Sequence, residues 1–343
     1  MTRTFKCICL FLFLSFINSF AQNQYIFEID SLVGTKNPRN FNGVILIAKK
    51  GKVQYSRAYG VKDIYDPVPL QMDDAFEIMS NTKQITAVLL LQEAEKGKVD
   101  LQAPIGNYLA DLTQPWADSV TIHQLMNHTH GITDLNKALA FKPGSDFKYG
   151  NLSSILLGKI IEKVSGQSYK SAAENLFKKL GMNDTFLYSK DGNRKPVTGH
   201  MADRNVFSTA EESFITDENL PADGIVTTAK DLSIWNDALH KGKILTPEMY
   251  RLMTTPSAMS QHDVFGKEKV GYGYNIRIVN DQEISYFGHT GLGDGFTSLN
   301  IYFPKNEVSL IILENQMNEN SDLYYYFEKE IKNIILSSNL VKE

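Results

Sequence analysis

Apolar runs and period-two alternation collect at the two ends of the chain, and helical spacing fills the middle. Residues 24 to 33 fit a short helix, and Asn42-Gly43-Val44-Ile45-Leu46-Ile47-Ala48 is apolar at consecutive positions. That is the pattern of a strand buried on both faces, and Lys49-Lys50-Gly51-Lys52 turns it into a second strand, Val53 to Tyr59. From Phe76 to about Glu174 the spacing predicts helices. One opens at or just before Ser80 and closes at Gly97, a short one covers Ile122 to Asn127, and a long one runs from Leu152 to Val164 and stops at Gly166. Strands return as Gly271 to Val279, Glu283 to His289, Gly295 to Phe303 and Glu307 to Glu314, with turns at Asn280-Asp281 and Pro304-Lys305-Asn306. Tyr324 to Leu336 reads as a closing amphipathic helix. These elements predict an α/β (α+β) fold: an antiparallel β-sheet flanked by helices, its first hairpin joined to the C-terminal strands. The sheet regions cover about 22–70 and 265–343, and a mostly helical region of about 71–264 is inserted between them.

The first 21 residues do not belong to this pattern. Arg3 and Lys6 make a positive start, Cys7 to Ile17 is an apolar run short for a bilayer span, and Ser19-Phe20-Ala21 offers small residues for a signal peptidase. The expectation is a cleaved signal peptide, 1–21, and a mature protein that is periplasmic or secreted, without stable membrane insertion after cleavage. An uncleaved anchor is the competing reading. Both cysteines, Cys7 and Cys9, lie in this segment, so residues 22–343 hold no disulfide, thiolate nucleophile or cysteine-ligated metal. Loss of the two cations Arg3 and Lys6 moves the formal charge from −4 to −6. A mildly acidic chain without a basic block gives nucleic acid no electrostatic footing.

Candidate chemistry begins at Ser80 and Lys83, three apart on a predicted helix and therefore on one face. A serine attacks an acyl group only when its proton has somewhere to go, and a lysine in a dry site beside a helix N-terminus can serve. Taken alone the pair is also an N-cap serine and a solvated lysine. Ser145-Asp146-Phe147-Lys148 has the same spacing but follows the Pro143-Gly144 turn, with no helical run behind it. Tyr149-Gly150-Asn151 places a proton-relaying phenol and an amide where a turn feeds a helix; its plainer reading is a half-buried tyrosine and a capping asparagine. His289-Thr290-Gly291 sits at a strand end, where glycine lets a substrate backbone approach; its plainer reading is a Gly-rich hairpin. His128-x-His130 lacks a cysteine partner or a third ligand and reads as structural. No Gly-x-Ser-x-Gly is present, which removes the nucleophile-elbow route to an esterase.

In this order the three triplets resemble the penicillin-recognising serine hydrolases: class C β-lactamases, D-alanyl-D-alanine carboxypeptidases, D-aminopeptidases and related esterases. The segment Thr121 to Ile132 is similar to that family's Leu-Leu-Thr-His-Thr-Ser-Gly-Ile, and Leu180-Gly181-Met182, Ala222-Asp223-Gly224-Ile225-Val226-Thr227-Thr228-Ala229-Lys230-Asp231-Leu232 and Phe303-Pro304 also fit. The resemblance implies Ser80 as nucleophile, Lys83 as its proton acceptor and Tyr149 as partner in moving protons to the leaving group. It implies Asn151 as a ligand of the substrate amide, and His289, Thr290 and Gly291 as the strand-edge triplet. The oxyanion would lie between the N–H groups of Ser80 and Leu292, where one donor is worth roughly 3 kcal/mol of barrier. No cofactor and no metal are implied. Two departures narrow the substrate. His289 replaces the lysine of class C enzymes, removing a permanent positive charge, and Leu292 replaces a common hydroxyl. The expected function is an exported serine hydrolase acting on small amides or esters, D-amino-acid-containing peptides among them. The alternatives are a weak β-lactamase, a carboxylesterase, or a penicillin- or peptide-binding protein that does not turn over.

Overall fold

A computed structural model describes residues 24–203, 206–210, 213–280 and 284–342. The expected leader, with Cys7 and Cys9, lies outside the described residues, as do Asp281 of one expected turn and Glu283, the expected start of the following strand. Residues 24–34 are helical. Strands β1 (Gly43–Lys49) and β2 (Lys52–Tyr59) form a hairpin whose turn uses positive φ at Lys50 and Gly51. The later strands of the same sheet are β3 (Ala258–His262), β4 (Gly266–Tyr272), β5 (Arg277–Asn280), β6 (Ser285–Gly293), β7 (Phe296–Phe303) and β8 (Val308–Glu314). Among the described residues these make one antiparallel sheet in the order β2-β1-β8-β7-β6-β5-β4-β3. The first hairpin is zipped to the last strand, with Gly43 opposite Glu314 and Lys49 opposite Val308.

The consecutive apolar residues of β1 serve two cores, because alternate side chains leave a strand on opposite faces. Val44, Leu46 and Ala48 join the core shared with helices Thr82–Glu95, Leu152–Ser165 and Ala229–His240. Ile45 and Ile47 pack beneath the helix at 24–34 and the helix Tyr326–Ser337. Helix Thr82–Glu95 is buried at every position from Thr82 to Leu91, the burial expected of a helix apolar on all sides.

One strand expectation changes and one strand is added. The run Gly271 to Val279 is not one strand: β4 ends at Tyr272, the chain turns through Asn275 at φ 54, and β5 begins at Arg277, opposite Tyr272. Gly273 makes the turn possible, since a Cβ there would meet the Met253 carbonyl oxygen at 2.1 Å. Strand β3, with only Ser260 buried, was not expected from the sequence; it forms by pairing with β4 at the sheet edge.

Candidate functional site

The turn that carries Ser80 is braced from three sides. Phe76–Glu77 pairs with Ile225–Thr227, and Ile78 N–H donates to the Ile225 carbonyl at 3.0 Å. Met79 then takes φ 48, a left-handed conformation worth about 1–3 kcal/mol of strain for a residue with a Cβ, and its side chain is fully buried. Ser80 follows in a 3₁₀ turn, Met79–Asn81, and the α-helix begins only at Thr82. The sequence expectation of a helical start at Ser80 therefore shifts: the nucleophile candidate stands on the tightened turn before the helix. Ser298 Oγ donates to the Ile78 carbonyl at 2.8 Å and accepts from Asn81 Nδ2 at 2.8 Å. Gly291 has its own reason to be glycine, since a Cβ there would stand 2.1 Å from that same carbonyl oxygen. The residue expected to admit substrate thus admits the Ser80 turn.

Lys83 is completely buried, and its Nζ donates to Ser80 Oγ at 2.7 Å, to the Ala222 carbonyl at 3.0 Å and to Asp223 Oδ1 at 3.2 Å. Ser80 Oγ in turn donates to Asp223 Oδ1 at 3.0 Å. The other carboxylate oxygen, Asp223 Oδ2, accepts from Asn151 Nδ2 at 2.5 Å. Asn151, expected to hold a substrate amide, spends its donor on Asp223 in the free protein. Tyr149 shares the cavity, its ring centroid 5.3 Å from Lys83 Nζ, but its hydroxyl is buried without a hydrogen-bond partner. Expected to relay protons beside Ser80, Tyr149 makes no hydrogen bond to Ser80 or Lys83. The segment Lys148–Asn151 is pinned by His128, whose carbonyl accepts from Lys148 N–H at 2.9 Å and whose Nδ1 meets Ser153 Oγ at 3.1 Å. That gives the Thr121 to Ile132 segment a structural task. Among the described residues no cluster of three His, Cys, Asp or Glu side chains is arranged to hold a metal.

Strand β6 forms the opposite wall. Its pairing with β5 stops at Arg277 opposite Gly288, whereas its pairing with β7 continues to Gly293 opposite Phe296, so residues 289–293 keep one edge toward the cavity. His289, Thr290 and Leu292 line this cavity of about 440 Å³ together with Ser80, Asn151 and Asp223. The His289 ring is 1% exposed, with Nδ1 2.7 Å from the Thr290 carbonyl and Nε2 3.2 Å from Tyr272 Oη. Burial, reinforced by the Arg277 guanidinium, holds its proton affinity well below the ordinary imidazole range. That burial disfavours a charged imidazole, so His289 is poorly suited to replace the missing lysine charge.

Arg277 is a cation that lines the same cavity. It is 4% exposed, its Nε and Nη1 have no hydrogen-bond partner, and its Cζ lies 5.5 to 5.7 Å from the rings of Tyr149, Phe265 and Tyr272. Thr290 Oγ1 adds a hydroxyl 2.9 Å from His262 Nε2, whose imidazole is also held well below its usual range, by burial and then by Arg277. Neither Asp223 nor Arg277 is among the residues that the motifs single out. Asp223 was visible only as the one carboxylate in Ala222-Asp223-Gly224, and Arg277 only as a cation ahead of an apolar strand.

Residues 34–329 match the family model described as Beta-lactamase. Protein flp of Staphylococcus aureus strain N315 is 26% identical over 302 residues, covering 80% of this chain; the chain spans only 59% of that relative's length. Among solved structures, the octameric penicillin-binding protein homologue from Pyrococcus abyssi aligns with a TM-score of 0.80 at 25% identity, over 93% of this chain and 79% of that one. The D-amino acid amidase from Ochrobactrum anthropi SV3 shares the fold with a TM-score of 0.77 at 21% identity, over 91% of this chain and 97% of that one. Since the match takes in both the sheet and the helix that carries Lys83 beside Ser80, the chain belongs to the Beta-lactamase family.

Proposed function

We propose that the protein is a serine hydrolase that forms an acyl-enzyme on Ser80 and hydrolyses a small amide or ester bearing a free carboxylate. The observation that carries this reading is the 2.7 Å contact between Lys83 Nζ and Ser80 Oγ at the base of a cavity edged by residues 289–293 of β6. The buried cation stabilises negative charge on Oγ as it attacks, and a dry, pre-arranged site makes that stabilisation larger than in water. The oxyanion would rest between the N–H groups of Ser80 and Leu292. The substrate class rests on Arg277, a guanidinium that lines the cavity without a hydrogen bond at Nε or Nη1, with the Thr290 hydroxyl lining the same cavity. A peptide ending in a D-amino acid meets that requirement, and a penicillin carries the same group. Export through a leader cleaved after Ala21, to the periplasm or outside the cell, completes the reading; the intact mass of the secreted protein tests it.

The test uses a fluorescent penicillin, p-nitrophenyl acetate and p-nitrophenyl butyrate with wild type and Ser80→Ala. Turnover and labelling that vanish in Ser80→Ala are expected. Equal ester hydrolysis by the variant overturns the proposal. A second reading, a binding protein that acylates and stays acylated, draws on the three acceptors that already surround Lys83. Stable one-to-one labelling without turnover would select it. D-alanyl peptides, D-aminoacyl amides and nitrocefin then separate peptidase, esterase and weak β-lactamase.

A further inference from the structure

We propose that Asp223 is the catalytic base of this site and that Lys83 acts beside it as a fixed ammonium. This inference rests on the serine-hydrolase reading above. It follows from a count of donors and acceptors. Lys83 Nζ touches three oxygens, at 2.7, 3.0 and 3.2 Å, and two of them, the Ala222 carbonyl and the Asp223 carboxylate, only accept. A neutral amine would give two hydrogens and accept the serine proton, but Lys83 is buried in an ion pair with the Asp223 carboxylate and is taken here as an ammonium with three hydrogens to give; the third then goes to Ser80 Oγ. The hydroxyl hydrogen of Ser80 then has one acceptor among these groups, Asp223 Oδ1 at 3.0 Å. The serine proton already points at the carboxylate.

Asp223 is also held as a base must be held. Its residue is 2% exposed, and Oδ2 is tied to Asn151 at 2.5 Å, which aims Oδ1 at Ser80. Its backbone ends the short turn Leu220–Asp223, which is locked from behind. Pro221 packs where Gly158 has no side chain, a Cβ there falling 2.2 Å from Pro221 Cγ, and Thr86 Oγ1 donates to the Pro221 carbonyl at 2.6 Å. Such bracing keeps the carboxylate within hydrogen-bond reach of the reacting oxygen.

The steps balance. In acylation the Ser80 proton moves to Asp223 as Oγ bonds to the acyl carbon; when the intermediate collapses, the departing amine or alcohol takes that proton and the carboxylate is restored. In deacylation a water in the same cavity gives a proton to Asp223 as its oxygen bonds to the acyl carbon. The ester bond to Oγ breaks and Oγ recovers the proton. One water is consumed and one amide or ester bond is cleaved.

Wild type, Ser80→Ala, Asp223→Asn and Asp223→Ala are compared on p-nitrophenyl acetate and a fluorescent penicillin, with thermal melts reporting that each is folded. A fall in kcat/KM of about 100- to 10,000-fold is expected for Asp223→Asn. Sodium formate, a small carboxylate, is expected to restore activity to Asp223→Ala but not to Ser80→Ala. Activity of Asp223→Asn within about threefold of wild type overturns the assignment and returns the base role to Lys83. Loss of activity in folded Asp223→Ala without formate rescue overturns it too, leaving Asp223 as a positioning residue. If wild type itself shows no Ser80-dependent reaction, the hydrolase reading falls; if wild type is active and Asp223→Asn equally so, only the base assignment falls.

Discussion

Two arginines are almost equally buried, Arg39 at 3% exposure and Arg277 at 4%, and their surroundings differ in kind. Arg39 forks onto Glu314 with contacts of 2.7 and 2.8 Å, gives Nε to the Leu323 carbonyl at 3.0 Å, and has Glu328 Oε2 at 3.9 Å. Its charge is consumed in joining β8 to the helix Tyr326–Ser337. Arg277 sits among the rings of Tyr149, Phe265 and Tyr272 with Nε and Nη1 bare. Aromatic faces soften the cost of burying a cation but leave its hydrogen-bond donors unmet. A satisfied buried charge is part of the scaffold. Arg277 lines the cavity without hydrogen-bond partners at Nε or Nη1, which is why the proposed carboxylate preference is placed on it.

The largest expected effect breaks the scaffold member of this pair. Arg39→Met strands Glu314 in the core, and a loss of about 3–5 kcal/mol in urea unfolding is expected, with penicillin labelling of the remaining folded protein unchanged. The next effect is functional. For Arg277→Met, KM for a carboxylate-bearing substrate is expected to rise about 10- to 100-fold, about 1.4 to 2.8 kcal/mol, while KM for neutral p-nitrophenyl acetate and the melting temperature hold. An equal loss on both substrates would make Arg277 structural like Arg39.

The smallest effect is in pH, where the two regions are expected to respond with opposite sign. Burial holds His128, His262 and His289 well below the ordinary 6.5, so the stability they contribute is present above that pH and lost as pH falls. Burial and then Glu314 push the Glu328 carboxyl up to about 8 from 4.5; its contribution is complete below pH 4.5 and lost as pH rises through about 8. Melting temperatures from pH 5 to 9 check this. Glu328→Gln is expected to flatten the alkaline decline and leave the acid decline untouched.

Local pattern carried much of the fold. The apolar run at Val44 to Ala48 marked a strand with two buried faces, and Gly166 marked the end of the helix Leu152–Ser165, where it takes φ 73. Ser80 and Lys83 were legible because three residues of helical spacing bring side chains together whatever lies around them. The division of Gly271 to Val279 into β4 and β5 was not, because the turn depends on how closely Met253 approaches Gly273.

The chain by itself determined the first hairpin, the main helices between Ser80 and Gly166 and the closing strands and helix, and that a hydroxyl and an amine stand one turn apart. Periodicity and close spacing are properties of a short segment, so they survive without knowledge of partners. Tertiary structure alone decided which charge answers which. Asp223 reaches Lys83 across 140 positions of sequence, and Arg277 is bare because its neighbours across the sheet are rings and not carboxylates. Pairing of buried charges depends on distance in space and on exclusion of water, and neither is written in the order of residues.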